Sequence, residues 1–227
     1  MKLFKLSVLT LLFLFINSVS ASTIIDSFND QTMQIVSANG SDTVATSSAI
    51  GGYRTINITK SGPLSASAVV AGGIFAHSAD ALTSAVSSIT WDANGAGLNA
   101  DLLASDTLGF TGSSCYECFV LDVISIDQGN VDLTIQLYDG SNTVSYTSSG
   151  VGTGLHEVMF SQFANLDLTT IMAISLEIDG GVASDLVLDF QGYTGTKQVS
   201  SVPLPATVWL FATGLISFLG THRKKPS

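Results

Sequence analysis

Through the middle of this chain apolar and polar residues alternate one for one. Val131, Leu133, Ile135 and Leu137 interleave with Asp132, Thr134, Gln136 and Tyr138. Met172, Ile174, Leu176 and Ile178 interleave with Ala173, Ser175, Glu177 and Asp179, and Leu186, Leu188 and Phe190 with Asp185, Val187 and Asp189. A period of two sends successive side chains to opposite faces, which predicts strands with one dry and one wet face. Further strand candidates are Thr23–Phe28, Tyr53–Thr59, Ser67–Phe75, Val86–Trp91, Phe119–Ile126, Thr143–Thr147 and His156–Phe160. Between them lie turn-forming runs: Asp127-Gln128-Gly129-Asn130, best read as a hairpin turn, Asp139-Gly140-Ser141-Asn142 and Asp179-Gly180-Gly181. No amphipathic helix interrupts the series, and no repeat of fixed period suggests a solenoid or propeller. The expected fold is all-β, a single antiparallel β-sandwich of jelly-roll-like form over residues 22–200. A division into two domains near Gly95–Ser114 is the alternative.

Charge separates this body from the two ends. All 18 acidic residues lie between 22 and 202, where Arg54, Lys60 and Lys197 are the only Lys or Arg. So acidic a surface repels nucleic acid and anionic lipid, and nucleic-acid binding, which needs clustered Lys and Arg, is excluded. Residues 1–21 have the layout of a secretory signal. Lys2 and Lys5 precede the apolar run Leu6–Ile16, and Val19-Ser20-Ala21 supplies small residues for signal peptidase, with cleavage expected after Ala21. Near the other end, Val202–Gly220 carries no charge and would reach ~28 Å as a helix. That length permits a single transmembrane helix, placed at 204–220, with the basic tail 222–225 held on the cytoplasmic side of the inner membrane. Pro203 and Pro205 keep the segment before it extended, a form that a processing peptidase reads.

Val202-Pro203-Leu204-Pro205-Ala206, the apolar stretch from Val208 to Leu215 and the stop Arg223-Lys224-Lys225 together resemble the PEP-CTERM sorting signal, in its VPLPA-CTERM variant. Leu204 stands where the name-giving motif has glutamate. The resemblance covers about residues 201–225. It implies that the chain is the substrate of an exosortase-like processing enzyme that cuts near the proline motif. It also implies transient anchoring, then placement in the cell envelope or outside the cell, in organisms that make exopolysaccharide and biofilm matrix.

Within the body, Cys115 and Cys118 are expected to close a local disulfide, as suits an exported chain. Asp26, Asn29 and Asp30 near the start and Asp189 near the end would meet around a calcium ion if the first and last strands were neighbours. Tyr53, Tyr138, Tyr146 and Tyr193, on or near polar-face positions, and Trp91 at a strand end are candidates for stacking on sugar rings. Catalytic residues are not expected. His77 and His156 have no accompanying nucleophile motif, and Glu117, Glu157 and Glu177 are not marked as a pair. The expected function is a non-catalytic envelope or matrix protein associated with exopolysaccharide. The alternative is a glycan-binding module, calcium-assisted or not, and a polysaccharide-active enzyme is the third possibility.

Overall fold

A computed structural model describes residues 24–29, 33–103, 115–127 and 131–194. The signal segment with Ala21, the motif Val202–Ala206, the span 204–220 and the stop Arg223–Lys225 lie outside the described residues. Among those described, no helix is long and apolar enough to cross a membrane.

Among the described residues there are twelve strands: β1 (Gln34–Ser37), β2 (Gly40–Ala45), β3 (Tyr53–Ser61), β4 (Ala66–Ala71), β5 (Ile74–Ala79), β6 (Ser84–Trp91), β7 (Cys118–Ile126), β8 (Val131–Tyr138), β9 (Thr143–Val151), β10 (Gly154–Met159), β11 (Ala173–Val182) and β12 (Asp185–Thr194). They form two six-stranded sheets, ordered β1-β4-β5-β12-β7-β10 and β2-β3-β6-β11-β8-β9. Every named pairing is antiparallel. Strands from both sides of the Gly95–Ser114 segment share both sheets, so that segment joins parts of one sandwich.

The alternation explains the layers. In β8 every second residue from Val131 to Leu137 is buried, and in β11 Ile174, Leu176 and Ile178 are. These side chains meet those of the first sheet in one core. Trp91 of β6 packs edge-on against Phe190 of β12, with ring centroids 5.5 Å apart. Phe119 of β7 holds a ring cluster with Phe160, Phe163, Phe190 and Tyr193. Each such side chain contributes about 1.5–3 kcal/mol on burial.

Several details differ from the sequence expectation. Ser67–Phe75 is not one strand but the hairpin β4–β5, which turns at Gly72 and Gly73, both at positive φ. Of Thr23–Phe28, the described residues form only an isolated bridge from Asp26 to Ala49. Strands β7 and β8, on either side of the Asp127–Asn130 run, belong to different sheets and are not paired as a hairpin. Asp179-Gly180-Gly181 lies inside β11, where the register with β6 shifts, instead of ending the strand.

Candidate functional site

The outer face of the second sheet is a continuous polar field set by strand register. One row across all six strands reads Thr43, Thr55, Thr90, Ser175, Gln136, Ser145. The next reads Ser41, Asn57, Ser88, Glu177, Thr134, Thr147. Short hydroxyls bond one another across strands: Thr43 to Thr55 at 2.9 Å, Thr90 to Ser175 at 3.1 Å and Thr134 to Thr147 at 2.8 Å. Neither row holds a cation; Glu177 is the single carboxylate of the two, and the row beyond it sets Asp179 across from Asp132 on the same face.

Tyr53 of β3 and Tyr138 of β8 lie one step further along the strands, on the same face. They are 36% and 39% exposed. Three strand spacings of ~4.8 Å set them ~14 Å apart. Tyr138 donates its hydroxyl to Gly140 O at 2.7 Å, within the β8–β9 turn. That turn is fixed by Asp139, whose carboxylate accepts from the backbone N–H groups of Asn142, Ser141 and Asp167 and is held below its ordinary pKa by them.

The remaining polar chemistry is inside. Asp26 and Arg54 form an ion pair at 2.9 Å with both side chains fully buried. The Asp26 carboxylate also accepts from Trp91 Nε1 at 2.9 Å, Ser48 Oγ at 3.1 Å and the Phe28 N–H at 2.9 Å. Arg54 Nε donates to Gln34 Oε1 at 3.0 Å, and its guanidinium carbon lies 5.6 Å from the Phe28 ring centre. The pair therefore ties the N-terminal segment to β1, β3 and β6.

His77 of β5 bridges the sheets. Its Nδ1 meets Ser87 Oγ of β6 at 2.7 Å and its Nε2 meets Ser184 Oγ at 3.4 Å. Burial pushes its pKa down to about 4, against the opposing pull of Asp185 and Asp179. The site has no room to spare: a side chain at Gly180 would collide with Ser184 Oγ and come within 2.7 Å of His77 Nε2. A histidine between two buried serines is out of reach of substrate, and its task is structural.

The calcium expectation meets a different geometry. The donors that meet the Asp26 carboxylate all lie within the core, with Arg54 as its counter-charge. The strand that holds Asp189, β12, is bordered by β5 and β7, with no first strand beside it. Asp189 stands across from Asp122, and its pKa is raised by partial burial, then by Asp122 and Asp26. Among the described residues no group of three or more His, Cys, Asp or Glu is placed to hold a metal ion. Cys115 and Cys118 form a disulfide with Cα atoms 6.3 Å apart.

Of the four tyrosines, Tyr53 and Tyr138 face outward as expected. Tyr146 packs against the core and Tyr193 is 2% exposed within it, while Trp91 is fully buried. His156 Nε2 lies 2.7 Å from Gly152 O. Of the three glutamates, Glu177 is on the second sheet, whereas Glu157 is on β10 and Glu117 just precedes β7 in the first.

No family model and no curated protein matches the chain. Among solved structures it is similar to the family 11 carbohydrate-binding module of the cellulosomal cellulase Lic26A-Cel5E of Clostridium thermocellum. There the TM-score is 0.39 and the identity 12%, over 79% of this chain and 97% of that one. The same family 11 module in complex with a β-1,3-1,4-mixed-linked tetrasaccharide gives 0.36 and 12%, over 79% and 100%. TmCBM61 in complex with β-1,4-galactotriose gives 0.33 and 11%, over 73% and 88%. At scores of this size the likeness is one of general architecture, and no residue role passes from those modules to this chain.

Proposed function

We propose that this is an exported, non-catalytic envelope or matrix protein whose sandwich binds neutral polysaccharide on the outer face of the second sheet. The observation that carries this is the hydroxyl and amide field beside Tyr53 and Tyr138. A sheet face built only to stay in water is usually studded with charged side chains of both signs. This one offers short side chains already bonded to each other, which lose little rotamer freedom when a polyhydroxylated ligand docks. Half-exposed tyrosine rings supply flat apolar surface for sugar faces. The acidic excess of the body disfavours anionic polymers.

Affinity electrophoresis of the secreted protein through soluble neutral β-glucans and galactans, with anionic alginate alongside, tests the idea. Retardation by a neutral polymer is expected, with Tyr53→Ala and Tyr138→Ala each weakening it ~10-fold, equivalent to ~1.4 kcal/mol. Equal mobility in every gel, or variants that bind like the parent, removes the proposal.

The same proposal includes addressing by the two ends. Its support is the order of proline motif, apolar stretch and basic stop in residues 202–225. A Pro203→Ala/Pro205→Ala variant is expected to be exported but retained unprocessed, as read by intact mass. Normal processing of that variant would refute the sorting role.

A further inference from the structure

The outer face of the first sheet is the opposite of the second in character. One row across five strands reads Ile35, Val69, Ala76, Val187, Ser125, with the bulge residue Ile124 beside it. Ile35 is 52% and Ile124 50% exposed, and nothing polar interrupts the row before Ser125. Further along the same face lie Ile74, Asp189, Asp122 and the exposed Leu155. Five strand spacings of ~4.8 Å carry this face across ~24 Å. An antiparallel sheet with one face on the core normally turns a polar face to water. A broad apolar one marks a surface that is covered in use.

Within this face two carboxylates stand directly across from each other. Asp189 of β12 pairs with Asp122 of β7, a register that sets their Cα atoms ~5 Å apart. Like charges so placed repel and cost stability. The second sheet has the same arrangement in Asp179 and Asp132, but there each carboxylate accepts a backbone N–H, from Gly181 at 3.1 Å and from Gly150 at 2.9 Å. Among the described residues, neither Asp122 nor Asp189 has a hydrogen-bond or ion-pair partner for its carboxylate. The six strands of the first sheet contain no Lys or Arg. Partial burial, then Asp122 and Asp26, already raise the Asp189 pKa, so a cation seated on the pair relieves a repulsion that the fold leaves open.

We propose that this face docks an amphipathic protein segment whose Lys or Arg sits on the Asp122–Asp189 pair. The segment's apolar side chains cover Val187, Ile124, Leu155 and Ile74. Charge and the apolar surroundings together select this occupant. Calcium takes about six to eight oxygens, and the apolar neighbours add none to the pair. A sugar would leave its hydroxyls unpaired against Val69, Ala76 and Val187. An anionic lipid surface is repelled by these carboxylates, joined by Asp185 and Glu157 in the same sheet. A lysine or arginine lays its apolar stem on such a surface and carries the charge at its tip. This surface is on the other sheet from the polar face proposed to bind polysaccharide, and neither proposal depends on the other.

Isothermal titration calorimetry of the secreted protein against a synthetic amphipathic helix of Leu and Lys provides the test. It is run at physiological salt, which screens exposed charges beyond ~8 Å. Pentalysine, cationic but without apolar side chains, is the comparison. The amphipathic peptide is expected to bind with Kd on the order of 10 μM, and pentalysine at least ~10-fold more weakly. Asp122→Asn/Asp189→Asn should weaken the amphipathic peptide ~10-fold, and Ile124→Ser, which keeps the charge, ~5-fold. Asp132→Asn/Asp179→Asn removes the same charge from the other sheet and should leave peptide binding as in the parent. Each variant is checked for unchanged thermal unfolding. No binding by the parent, equal losses in the two double variants, full binding by Ile124→Ser, or pentalysine held as tightly as the amphipathic peptide would overturn the proposal.

Discussion

Replacing Arg54 with methionine is expected to destabilise the protein by about 3–5 kcal/mol, the usual result of removing one partner of a buried ion pair. The substitution fills much of the space and leaves the Asp26 carboxylate, fully buried, without its counter-charge. It also takes the donor from Gln34 Oε1. Against the ~5–15 kcal/mol of total stability typical of such a domain, this is a large fraction. With a urea m-value of about 1–3 kcal/mol/M, the unfolding midpoint should drop by on the order of 2 M. Adding Asp26→Asn to Arg54→Met removes the stranded charge and should restore part of the loss. A single variant within ~1 kcal/mol of the parent would show that the pair does not hold the core together.

Acid should weaken the fold through His77, well before most carboxylates titrate. In the folded state its pKa is about 4, against an ordinary value of 6.5. A group held below its unfolded pKa in this way keeps the native state neutral. As pH falls below 6.5 the unfolded chain takes up a proton that the folded one refuses, so stability is complete above 6.5 and declines towards pH 4. The full loss is about 3 kcal/mol, of which about 2 kcal/mol falls between pH 7.5 and 5. Urea unfolding at these two pH values reads it directly. His77→Gln, which can still bond Ser87 and Ser184, should flatten the slope. A parent protein equally stable at both values, or an unchanged slope in that variant, would contradict this account.

Both buried polar groups were legible in the period-two pattern, though residue type concealed them. Arg54 shares parity with Ile56 and Ile58, and His77 with Phe75 and Ala79, so alternation places both inside. Their chemistry argues for the surface, and only partners distant in sequence, Asp26, Gln34, Ser87 and Ser184, make burial tolerable. Tyr146 follows the same rule, being in step with Val144 and thus on the inner face of β9. Strands β6, β8, β11 and β12 were plain because both their faces are patterned. Strand β1 escaped because four residues are too few to show a period. Strand β2 escaped because an edge strand with little burial has almost no apolar side to display. The hairpin at Gly72-Gly73 was hidden in a run of small apolar residues with no polar break. The polar rows of the outer face existed in the sequence as scattered Ser and Thr, and only cross-strand register, which is non-local, assembled them.

The placement of the last two strands among the described residues governs when this sandwich can close. Strand β11 sits between β6 and β8, and β12 between β5 and β7, so each fills the middle of its sheet. A chain emerging from its N-terminus first would hold two half-sheets on each side, with a gap down the centre, until residues 173–194 arrive. Until then the nascent chain has no finished sandwich, and a stretch of about a tenth of its length acts as the zip that shuts both layers together.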